Sequence, residues 1–214
     1  MRNYFRYFIY AIVLMVSFVA RADPAVDFFR AIGVDNALTV RELLGQGFDP
    51  NTRSPKGQVG LYLALNEHSL KVAELLLAQP GIEVEATNAA GETPLMMAAL
   101  RGETDWVQKL IDHGAQVNRE GWTPLHYAAT GPQPKAVALL LDRGAVVDAP
   151  SPNGTTPLMM AARYGSEGSV ALLLAHGADP RKRNIQGLDA AAFARLDGRD
   201  KLAARLAEAA AGKP

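Results

Sequence analysis

Gly121-Trp122-Thr123-Pro124-Leu125-His126-Tyr127-Ala128-Ala129 is the stretch that decides how this chain folds. Its skeleton, Gly, any residue, Thr, Pro, Leu, two residues, Ala, Ala, returns at Gly91 and at Gly154. Weaker copies begin at Gly57, where Leu61 and Ala64 keep their places, and at Gly187, where Ala191 and Ala194 do. Successive starts lie 34, 30, 33 and 33 residues apart, and a leucine follows each start by nineteen positions: Leu76, Leu110, Leu140, Leu173 and Leu206. The register is kept inside each unit, so changes of length fall in the connections. A fixed period of this size is the mark of a repeat architecture.

Each residue of the phrase has a physical task. The Thr can cap the free N–H groups at the start of a helix, and Pro fits the first turn, where its missing donor costs nothing. Leu95 with Ala98 and Ala99, Leu125 with Ala128 and Ala129, and Leu158 with Ala161 and Ala162 give faces of small apolar residues. Helices with such faces can approach closely. A polar or Gly-containing turn follows at Gly102, at Gly131 to Pro134 and at Gly165 to Gly168, and a second helix then carries Val107, Leu110, Ile111, or Val137, Leu140, Leu141, or Val170, Leu173, Leu174. That spacing of i, i+3, i+4 buries one helical stripe. Gly114, Gly144 and Gly177 stand where these second helices should stop.

The phrase at Gly121, together with His113, Gly114, Ala115 and Asn118, resembles the ankyrin repeat, and the resemblance runs from about Phe48 to Gly198. It implies an all-α solenoid of stacked helix-turn-helix units with short β-hairpin loops, of about 33 residues each. Residues 48–186 are read as the repeats. Residues 23–47 are read as a partial capping unit, with Val26, Phe28, Phe29 and Ile32 on one helix and Val40, Leu43 and Leu44 on the next. Residues 187–214 lack the Thr-Pro pair and form a C-terminal cap and tail, kept wet by Arg195, Arg199, Asp200, Lys201, Arg205 and Glu208. The hairpin between Val117 and Gly121 is three residues shorter than the one between Val147 and Gly154, so one finger of the stack is clipped.

Residues 1–22 have the three-part pattern of a secretory leader: Arg2 and Arg6, an apolar run of 13 residues from Tyr7 to Val19, then Ala20-Arg21-Ala22. A bilayer-crossing helix needs about 20. A signal peptide cleaved after Ala22 is therefore expected, with an uncleaved anchor as the alternative that Arg21 inside the cleavage motif keeps open. In a Gram-negative cell the product would be periplasmic, and no membrane contact is expected after cleavage. The whole chain has 22 basic and 22 acidic residues, and loss of Arg2, Arg6 and Arg21 makes the remainder mildly acidic. Such a balance supplies no global field toward nucleic acid or anionic lipid. The absence of Cys excludes disulfides, thiolate metal sites and cysteine nucleophiles.

No Gly-rich phosphate loop, His-Glu-x-x-His, EF-hand loop or Gly-x-Ser-x-Gly occurs, and no catalytic residue, cofactor or metal is expected. His126 lies in the repeat phrase, where it resembles the residue that bonds neighbouring loops. His113 and His176 precede helix-ending glycines, and His68 occupies a turn. Arg181, Lys182 and Arg183 are expected at a solvated hairpin tip. Trp106 takes an apolar place in a second helix and is expected in the core, while Met96, Met97, Met159 and Met160 are core or groove floor.

The resemblance implies a partner held in the concave groove made by hairpin tips and first helices. In that register Arg53, Gln58, Asn66, Glu67, Thr87, Arg183, Ile185 and Leu188 face the groove, with Glu92, Leu100, Arg101, Trp122, Thr130, Arg163 and Tyr164 at its middle. Trp, Tyr and Arg dominate binding energy at interfaces, so Trp122, Tyr164, Arg101 and Arg163 are the expected anchors. The expected function is a non-enzymatic scaffold or binding protein, a monomer that recognises another protein. Family resemblance alone adds two sharper forms: an accessory factor for periplasmic catalase, or an immunity protein against a delivered toxin. An enzyme and a purely structural protein are the remaining alternatives.

Overall fold

The structure, a computed structural model, describes residues 23–212. The leader assigned to residues 1–22 lies outside the described residues. Among the described residues twelve helices follow one another in pairs. The first of each pair are α1 (Pro24–Gly33), α3 (Gly60–Asn66), α5 (Pro94–Arg101), α7 (Pro124–Thr130), α9 (Pro157–Arg163) and α11 (Ala190–Leu196). The second are α2 (Ala37–Gly45), α4 (Leu70–Leu77), α6 (Thr104–Asp112), α8 (Pro134–Asp142), α10 (Glu167–Ala175) and α12 (Asp200–Ala210). Each first helix packs on the first helices before and after it, and the pairs stack in sequence order. The chain is an all-α repeat solenoid. No described helix is long and apolar enough to cross a membrane.

The repeat phrase does locally what its residues dictate. Pro94, Pro124 and Pro157 open α5, α7 and α9, and the Thr93 and Thr156 hydroxyls accept the N–H of Met96 and Met159 at 3.3 and 3.4 Å. Leu95, Leu125 and Leu158, with the six alanines Ala98, Ala99, Ala128, Ala129, Ala161 and Ala162, are fully buried between neighbouring first helices. Close approach extends to the turns. A Cβ added at Gly165 would stand 2.1 Å from the Ala129 carbonyl oxygen, so only glycine lets that backbone pass the preceding unit. Val107 and Leu110, Val137 and Leu140, and Val170 and Leu173 are buried under the second helices.

The fingers are turns without strands. One backbone hydrogen bond closes each of four of them: Ser54 N–H to Gln58, Asn88 to Glu92, Ser151 to Thr155, and Asn184 to Leu188, at 2.8 to 3.1 Å. The sole β pairing among the described residues is a bridge between Arg53 and Val59. The clipped finger has no closing bond of this kind, because three residues are missing from its loop.

Polar side chains at the finger bases tie unit to unit. Asn51, Glu85, Asn118 and Asp148 each accept the backbone N–H of the following unit, at Glu83, Gln116, Val146 and Asp179. Arg199 departs from its expected role as a solvated charge of the C-terminal cap. Its guanidinium donates to the carbonyls of Ala161, Ala162 and Gly165 at 2.9 to 3.1 Å, adding to the backbone N–H groups that already reach Ala161 and bracing the end of α9.

His126 binds in two directions. Nδ1 accepts the Thr123 N–H at 3.1 Å, and Nε2 donates to the Thr155 carbonyl of the next finger at 2.9 Å. In the flanking units Met96 and Met159 replace it, their sulfurs accepting the N–H of Thr93 and Thr156 at 3.4 Å. Burial pushes the His126 pKa from the ordinary 6.5 down to about 4, against the pull of its carbonyl partner. Between these pH values the unfolded chain holds the proton that folded His126 refuses, so stability must fall as pH drops through this window. This group alone should remove roughly 3 kcal/mol between pH 6.5 and 4. Urea midpoints measured across that range should fall less steeply for His126→Met, which borrows the solution of the neighbouring units, than for the native chain. Parallel slopes would contradict the assignment.

Candidate functional site

The side chains brought together in the groove surround one apolar cavity of about 280 Å³. Its walls are Leu100 from α5, Trp122, His126, Tyr127 and Thr130 from the third finger and α7, and Met160 from α9. Leu100, Thr130 and Trp122 were placed in the groove by their position in the repeat. Trp122 stands edge-on to the His126 ring, 5.1 Å between centroids at 75°, which fixes it as a wall rather than a free surface ring.

The other expected anchors take different positions. Tyr164 is half exposed, and the Arg163 guanidinium lies over its ring at 4.8 Å, forming a cation–π pair at the end of α9. Arg101 reaches back to the Asn66 carbonyl at the end of α3, so it braces two units and stands apart from the cavity. Glu92 is committed inside the fold. Its carboxylate accepts hydrogen bonds from Tyr62 at 2.7 Å, Asn88 at 2.7 Å and Tyr127 at 2.9 Å. Burial alone would raise its pKa, yet the three donors outweigh that effect and hold it below the usual glutamate value. Both phenols are pushed up from 10, by burial first and by the Glu92 acceptor second. At neutral pH Glu92 is an ionised hub that orients Tyr127 toward the cavity.

The outlying groove residues are mostly fastened to the fingers. Arg53 donates to the carbonyls of Gly57 and Thr87 at 2.8 and 2.7 Å. Arg183 donates to the Gly187 carbonyl at 2.6 Å and pairs with Asp189 at 3.1 Å. Arg181 pairs with Asp179 at 2.9 Å, while Lys182 and Ile185 are exposed at the tip. The remaining histidines serve helix ends or pair with acid. His113 and His176 each place Nδ1 2.8 Å from a carbonyl of their own last turn, and His68 meets Glu103 at 2.7 Å. Trp106 is buried, with Lys109 over its ring at 4.9 Å.

Sequence reasoning left out Tyr127 and Arg119, and placed Met160 in the core or groove floor without singling it out. Tyr127 and Met160 share one place in the repeat with buried Met97, and pattern alone gave no sign that a gap opens beside them. The signal that existed was the clipped finger next to a small residue, Thr130. Arg119 lies in that finger, and its charge is felt at Tyr127. Among the described residues no group of three His, Asp or Glu side chains could hold a metal ion.

Comparison with known proteins places this geometry. Three overlapping copies of the family described as ankyrin repeats match residues 28–120, 61–151 and 117–184. The chain is 39% identical over 70 residues to a poly [ADP-ribose] polymerase tankyrase of Caenorhabditis elegans, covering 31% of this chain and 3% of that protein. It is 33% identical over 84 residues to an I-kappa-B like protein C2 of Microplitis demolitor bracovirus, covering 39% of this chain and 46% of that one. The chain thus spans less than half the length of these curated relatives. Among solved structures, one chain of a complex of the Bd0816 predatory endopeptidase from Bdellovibrio bacteriovorus with immunity protein Bd3460 is similar, with TM-score 0.70 and 25% identity. That alignment covers 84% of this chain and 97% of the other. With the repeat matched over most of its length and the stacked helix pairs in place, the chain belongs to the ankyrin-repeat family.

Proposed function

We propose that this chain is an exported, non-enzymatic binding protein that holds another protein in its groove, centred on the cavity beside the clipped finger. One observation carries the reading. The outer helices cancel charge between units through Lys109–Glu74, Arg143–Asp112 and Arg205–Glu167, whereas the groove side keeps an open apolar cavity with a rigid Trp wall. A concave apolar surface with an aromatic anchor is the setting in which binding energy concentrates.

Export rests on the leader pattern at residues 1–22, and the destination is the periplasm in a Gram-negative cell. Secretion in such a host followed by N-terminal sequencing should yield a chain beginning at Asp23. A chain that still begins at Met1 would overturn cleavage.

A more specific reading is that of an immunity protein, with a hydrolase as the guest. It is favoured by the likeness to a chain, aligned over 97% of its length, from a complex that contains an endopeptidase and an immunity protein. The direct test is a secreted hydrolase encoded beside this chain, mixed with it in equal amounts. Inhibition is expected, and Thr130→Arg, which fills the cavity without hollowing the core, should weaken it at least ~10-fold, about 1.4 kcal/mol. The thermal midpoint should move by only a few degrees, roughly what a surface change does. Full inhibition by Thr130→Arg would remove the cavity from the binding surface.

A further inference from the structure

The cavity arises from two local departures from the repeat. Leu100, Thr130 and Arg163 occupy the same place in successive units, nine residues after Gly91, Gly121 and Gly154. The middle residue is the smallest, so the row dips at Thr130. Beside the dip the clipped finger stands Trp122 upright, where the neighbouring units carry Glu92 and Thr155. An apolar cavity of about 150 Å³ already accepts a benzene-sized guest, and this one exceeds it.

Among the described residues, four arginines on the groove side lack a carboxylate partner. Arg53 and Arg101 are held by backbone carbonyls, and neither they nor Arg119 and Arg163 make an ion pair. Arg119 Nη1 and Arg163 Nε are buried donors with no acceptor. Glu67, Glu92 and Glu120 share this side, and Glu103 and Asp105 line a separate recess with Arg101. Glu92 is fully engaged by its three donors, Glu67 accepts from Asn66, and Glu120 is exposed on the finger. Arg163 lies one helical turn beyond the cavity wall residue Met160, steadied on the Tyr164 ring, and Arg119, three residues before Trp122 in the clipped finger, is close enough for its charge to act on Tyr127. A partly exposed guanidinium without an ion pair gains most from a carboxylate, which it can engage by two hydrogen bonds at once.

We propose that the cavity takes one bulky apolar side chain of an acidic protein segment, whose flanking carboxylates pair with Arg163 and Arg119. This assignment rests on the groove reading above and adds the chemistry of the guest. The probe is acetyl-Glu-Glu-Phe-Glu-Glu-amide, with its Lys-for-Glu twin as control, titrated into the chain while NMR follows the Trp122 indole N–H and the Met160 methyl group. The acidic peptide should shift both resonances saturably with a Kd on the order of 1 mM. The lysine twin should bind at least ~10-fold more weakly, and added salt should weaken the acidic peptide. Thr130→Arg should abolish the shifts, and Arg163→Met should weaken the acidic peptide several-fold while leaving the thermal midpoint in place.

Equal binding of the twins, or no movement of Trp122 and Met160 with the acidic peptide, overturns the proposal. If the acidic peptide fails while Thr130→Arg still blocks capture of a folded partner, the guest is not acidic and the groove reading stands. If Thr130→Arg changes neither, both readings fall together.

Discussion

A helix face made of leucine and alanine is too flat to be buried by anything except another face of the same kind. In this chain that other face is the next copy of itself. Leu95, Leu125 and Leu158 with their alanine pairs are sealed only where α5, α7 and α9 lie against one another. The spacing is so close that Gly165 has no room for a methyl group beside the Ala129 carbonyl. Stability in such a stack is a sum of units and of nearest-neighbour contacts, and the groove is the surface left over once those contacts are made.

Polar chemistry is spent largely on keeping the units in register. The finger-base acceptors Asn51, Glu85, Asn118 and Asp148 and the crossing bond from His126 to Thr155 each join one unit to the next. Arg199 performs the same task at the last boundary. Rigid placement of the fingers follows, and with it the fixed position of Trp122. A preformed wall loses little conformational freedom on binding, which is why a small cavity can matter to affinity.

The fold was legible because its signals are periodic. Thr-Pro and the alanine pairs recur at α5, α7 and α9, and the leucine nineteen residues on recurs in all five copies, so the units corroborate one another. The site was less legible because it is made by exceptions. Glu92, read as an exposed groove residue, is held by Tyr62, Asn88 and Tyr127, two of which come from different units. Arg101 is used to brace α3 rather than to face a guest. Met96 and Met159 read as core or groove floor, yet their sulfurs also serve as helix-start acceptors where His126 serves in the middle unit. Contacts between residues about 30 apart in a repeat array are set by the stacking distance, and a single sequence does not carry that distance.

Native-state hydrogen exchange tests this dependence on neighbours most directly, since it reads the opening free energy of each helix separately. Amides of α5, α7 and α9, flanked on both sides, should be the most protected, with protection falling stepwise toward α1 and α12. Uniform protection from Pro24 to Ala210 would mean that the chain opens as one closed globule, and the account of a stack with a spare groove would be wrong.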